Sequence, residues 1–76
     1  MSKKSQNMLY ESTKSLTFHL KKGETFTFSD LKIATGIVCN TDDQREAGRR
    51  YNAWVKNYPK APVVIINKKP TIYQIF

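Results

Sequence analysis

The stretch that decides the fold is TDDQREAGRRYNAWVKN (residues 41–57), followed by YPKAP (58–62) and VVIINKKPTIYQIF (63–76). The first part has the period of an amphipathic helix over about Asp42 to Asn57. Thr41 and Gln44 stand in the relation of a capping box, and Asp42 and Asp43 suit the positive end of the helix dipole. At about 100° per residue, Ala47, Tyr51, Trp54, Val55 and Tyr58 gather on one side. Arg45, Arg49, Asn52 and Lys56 gather opposite them, with Arg50 on a flank. Gly48 costs about 1 kcal/mol of helix propensity against Ala and is expected where another backbone packs closely. Pro59 and Pro62 stop the helix. The last part reads as a β-hairpin, two β-branched and aromatic runs flanking the four-residue turn Asn67–Pro70 with Lys68 and Lys69 at its tip.

Working back from residue 41, Ile37 to Asn40 reads as either a short helical turn or a loop. Ser29 with Asp30 makes a good helix start, Leu31, Ile33 and Ala34 follow, and Gly36 ends or kinks that helix. Thr25 to Phe28 is a short extended piece, preceded by a turn at Lys21–Glu24. Leu16, Phe18 and Leu20 alternate with Ser15, Thr17 and His19, the period of a half-buried strand. Residues 1–14 show no apolar period and read as a flexible basic N-terminal arm, ordering near Met8, Leu9 and Tyr10. Residues 15–76 then form one domain: strand, short helix or helices, long amphipathic helix, C-terminal hairpin. That order is an α+β winged helix-turn-helix.

Composition narrows the function. Seventy-six residues leave room for one small core, and a separate catalytic domain does not fit. One Cys and one His exclude an internal disulfide and a zinc site with two or more ligands of either kind. Cys39 reads as a small buried apolar residue. The start, MSKKSQNMLY, has no apolar run of the signal-peptide kind, and Val63–Ile66 is too short to span a bilayer, so the expected setting is cytoplasmic, with no membrane partner. His19 has no nucleophile beside it in any motif, the carboxylates at 42 and 43 are explained by the helix start, and the three glycines are scattered. No enzyme, cofactor or metal is expected.

Charge points elsewhere. Thirteen Lys and Arg against six Asp and Glu give a formal net charge of +7. Arg45, Arg49, Arg50 and Lys56 on the helix, with Lys68 and Lys69 on the hairpin, present cations suited to a phosphate backbone, and Asn52 adds a group able to bond a base edge. Nine aromatics exceed what so small a core needs, and single-strand binders stack bases on such rings. Tyr51 and Trp54 point to the core, while Tyr10, Tyr58 and Tyr73 stand between core edge and stacking platform. Composition permits single-strand binding without requiring it. A duplex-binding regulator (a repressor or an excisionase-like factor) and a module docking on a helicase or polymerase remain open.

Two motifs carry a family resemblance: Gly-x-x-Phe-x-x-x-Asp-Leu at Gly23–Leu31, and Arg-x-x-Gly-Arg-x-Tyr-x-x-x-Val at Arg45–Val55. The chain resembles a small domain-of-unknown-function family of Gram-positive bacteria and their mobile elements, with particular similarity to small proteins encoded beside replicative helicases on staphylococcal cassette chromosomes. The similarity covers roughly residues 16–76. Tyr51 replaces the usual Phe, and Ile37–Asn40 lacks a Trp found in many members. The resemblance implies a winged-helix fold and single-stranded DNA binding in support of element replication. Arg45, Gly48, Arg49 and Arg50 lie within the matching helix motif, whereas the hairpin lysines belong to no motif.

Overall fold

The computed structural model describes residues 2–76; Met1 lies outside them. Its first element is a helix, not an arm. α1 spans Ser2–Thr17 and covers most of the stretch expected to be flexible. Its inward stripe is Leu9, Thr13 and Thr17, four residues apart and each fully buried. Two of the three are hydroxyl residues, which explains why no apolar period marks the helix. Their burial is tolerated because every hydroxyl is used. The Thr13 hydroxyl donates to the Tyr10 carbonyl (2.9 Å) and the Thr17 hydroxyl to the Thr13 carbonyl (2.8 Å). With its proton so engaged, Thr17 Oγ1 accepts from the Tyr51 hydroxyl at 2.8 Å. α1 therefore packs on the rest of the chain through bonds as well as area.

The strand expected around Leu16–Leu20 is also corrected. Leu16 lies in the last turn of the helix, which Thr17 ends, and residues 18–20 form a tight turn in which the Phe18 and His19 amides reach back to the Ser15 and Leu16 carbonyls. Leu16 and Leu20 are half-buried against the core while Phe18 is exposed, so the apparent alternation arises from a helix end and a turn.

The first strand comes later, as β1 at Thr25–Phe26. α2, Phe28–Thr35, starts before the expected Ser29 because Thr27 is its cap: the Asp30 amide donates to Thr27 Oγ1 (3.2 Å) and the Thr27 amide to Asp30 Oδ2 (2.9 Å). Gly36 ends it at φ 70, where a side chain would be strained. Residues 37–40 are a loop. α3, Thr41–Asn57, is capped by Asn40, whose Oδ1 accepts from the Asp43 amide at 2.8 Å. The expected box at Thr41 does not form; Gln44 instead donates to the Cys39 carbonyl (2.7 Å). Cys39 is half-buried, and desolvation raises its thiol pKa, with Asp43 adding to the effect and Lys32 opposing it.

β2 (Val63–Lys68) and β3 (Thr71–Ile75) form the C-terminal hairpin. Lys68 pairs with Thr71, so the turn is Lys69–Pro70, joined by a cis peptide, rather than four residues. A bulge lies between Ile65 and Asn67. The antiparallel sheet has the order β1-β3-β2. Phe26, Leu31, Tyr51, Val63, Tyr73 and Ile75 form the core beneath it, with the Tyr51 ring 5.1 Å from Tyr73 and 5.5 Å from Trp54. The described residues form an α+β domain of three helices and one three-stranded sheet.

Candidate nucleic-acid interface

α3 and the hairpin diverge around a groove of about 620 Å³. Arg49, Asn52, Lys56 and Asn57 supply its helical wall, Lys68 and Thr71 the opposite one, and Phe28, Ile65 and Tyr73 its base. None of the lining residues is acidic. A groove with cations on two facing walls holds a positive potential that solvent screens less than on a flat surface. Asn52 donates to the Tyr73 hydroxyl at 3.0 Å, which fixes the amide at the base of the groove and ties α3 to the central strand. Arg49 also bonds Glu46 at 2.9 Å, but with its side chain 75% exposed this surface pair is weak and easily exchanged for another anion.

The residues expected to bind do not all meet here. Arg49, Asn52, Lys56 and Lys68 do. Arg45 is exposed on the same stripe of α3 and Lys69 at the hairpin turn, each outside the lining. Arg50 faces α1: its guanidinium lies 4.1 Å from the Tyr10 ring and donates to Gln6 Oε1 (3.2 Å) and Asn7 Oδ1. It acts as a clamp between helices. Tyr58 is exposed, but it stacks on Trp54, away from the groove. Tyr73 is only 2% exposed and belongs to the core, which corrects its reading as a stacking platform. Burial raises its pKa, an effect the Asn52 bond opposes. The same burial raises that of Tyr51, opposed by Thr17 and reinforced by Tyr73.

Sequence reasoning missed Phe28, Ile65 and Thr71. Ile65 was legible in the alternation with Val63; Phe28 was hidden by the extended reading of Thr25–Phe28. Gly48 proves to face a ring and not a backbone, since a Cβ there would meet Phe28 carbons at 3.5–3.8 Å. Among the described residues no group of three or more His, Cys, Asp or Glu could hold a metal, and no helix is long and apolar enough to cross a membrane.

Fold and groove together define a small basic α+β protein with a cationic cleft between its longest helix and its hairpin. No family model and no curated protein matches the chain. A solved structure does: that of the SCCmec type IV protein LP1413, described as a nucleic acids binding protein, is 37% identical, with 96% of this chain and 95% of that one covered and a TM-score of 0.85. The chain belongs to the LP1413 family.

Proposed function

We propose that this chain is a winged helix-turn-helix protein that binds single-stranded DNA without enzymatic activity, in support of replication of a mobile genetic element. The observation that carries the reading is the groove, where Arg49 and Lys56 face Lys68 with no carboxylate between them. In this reading α3 is the recognition helix and β2–β3 the wing, supported by the chain order α1-β1-α2-α3-β2-β3 and the sheet order β1-β3-β2. Arg49, Lys56 and Lys68 neutralise phosphates, Asn52 meets a base, and Arg45 and Lys69 extend the phosphate track at either end. Nucleic-acid binding is supported by the name of LP1413, and the mobile-element role by its place on a cassette chromosome. Single strands are supported by Phe28, a half-buried ring at the base of the groove able to meet a base. Such a protein works in the cytoplasm, alongside the element's helicase or polymerase.

A second reading, a duplex-binding regulator, is favoured by the stripe Arg45, Arg49, Asn52 and Lys56, which would suit a major groove. Fluorescence anisotropy separates the two. A labelled single strand and its duplex are titrated at about 50 and about 200 mM salt, a range over which non-specific contacts weaken steeply. A single-strand preference that survives the higher salt is expected. Equal and salt-fragile binding to both forms would sink it. Reversing Arg49 and Lys56 to Glu should abolish binding and leave the unfolding transition in place.

A further inference from the structure

On the side of α3 turned away from the groove, three rings meet at the surface. Trp54 and Tyr58 stack with centroids 5.9 Å apart and planes 20° from parallel, and Phe18 meets Trp54 edge-on, also at 5.9 Å. Phe18 is 57% exposed and Tyr58 44%, so neither ring is spent on the core. With Lys14 they line a hollow of about 430 Å³. The Lys14 ammonium lies 5.9 Å from the Trp54 ring centre and 4.3 Å from that of Tyr10.

We infer that this hollow is a second nucleic-acid contact, at which a base of a single-stranded nucleic acid stacks on the Phe18–Trp54–Tyr58 platform while Lys14 meets the adjoining phosphate. The inference rests on the single-strand reading above and extends it. Exposed rings beside a lysine match a base with its phosphate in both shape and charge. Lys14 is paired with Glu11 at 3.3 Å, and because that carboxylate is largely exposed the pair is weak and a phosphate can replace it. Position decides which form of nucleic acid can use it. The groove and the platform are separated by the thickness of α3, about 10–12 Å with side chains. A flexible strand crosses that distance in a few nucleotides around the end of α3, where Asn57, Tyr58, Pro59 and Lys60 are all exposed. A duplex, stiff over about 150 base pairs, does not bend around one helix.

Trp54 is the only tryptophan in the chain, so its fluorescence reports on the platform. The test titrates the protein with oligothymidylates of about 4 and about 12 nucleotides, one at the lower limit of typical single-strand site sizes and one well inside their range. The longer oligonucleotide is expected to quench Trp54, the shorter to bind in the groove without quenching, and an abasic strand of the longer length to bind without quenching. Phe18→Ala and Tyr58→Ala, both at exposed positions, should lose roughly fivefold to a hundredfold in affinity for the longer oligonucleotide. Their affinity for the shorter one and their urea unfolding should stay near wild type. Salt-dependent binding of the longer strand with Trp54 unchanged, or both variants binding it like wild type, would overturn the platform and leave the groove standing, with the rings then free for a protein partner. Failure of the wild type to bind any single strand would overturn both.

Discussion

Arg49 and Arg50 are consecutive on α3 and do opposite work. Arg49 stands in solvent beside the groove, held only by Glu46 one turn back. Arg50 is half-buried against α1, over the Tyr10 ring and bonded to Gln6 and Asn7. The first charge is available to a ligand, whereas the second is already committed within the fold. A count of cations therefore overstates what a surface can offer, and the rotation of about 100° between neighbouring helix residues separates binding from architecture.

The division between the packed and open sides of α3 can be broken most severely at Tyr51. Tyr51→Ala removes a fully buried ring and its bond to Thr17, and should cost about 3–5 kcal/mol in urea unfolding. The same ring is sensitive to alkali. Burial raises the pKa values of Tyr51 and Tyr73, so the folded state keeps protons that the unfolded chain releases above about pH 10. Their contribution is complete below that pH and lost above it, so the melting temperature should be flat through neutrality and fall beyond pH 10. Arg50→Ala should cost about 1–2 kcal/mol of stability with little change in affinity for DNA. Arg49→Gln or Lys56→Gln should do the reverse: unfolding is unmoved, while the slope of log affinity against log salt falls by about 0.7 for each charge removed. The smallest effect is a gain. Because a Cβ at Gly48 would make ordinary contact with Phe28, Gly48→Ala should stabilise the helix by up to about 1 kcal/mol.

Legibility followed the same division. α3 and the hairpin declared themselves because their apolar residues recur at the periods their structures need, and the stripe Arg49, Asn52 and Lys56 followed from the wheel. α1 did not, because two positions of its buried stripe are threonines whose polarity is cancelled by bonds to Tyr10, Thr13 and Tyr51. Helix starts slipped where a side chain one or two residues upstream reached the open amides first, as at Thr27 and Asn40. Tyr73 could not be told from a surface ring because the rings that cover it, Phe26 and Tyr51, lie far from it in sequence.

The sheet order β1-β3-β2 has a consequence during synthesis. β3 is made after β1 and β2, yet it is the one both of them require, since β1 and β2 pair only with β3. A nascent chain that has released Phe26 and Val63 from the ribosome still holds two unpaired strands, and only residues 71–75 can join them. The wall carrying Lys68 is thus completed only after the three helices have been made, and a polypeptide cut short before Thr71 would have open strand edges and no finished groove.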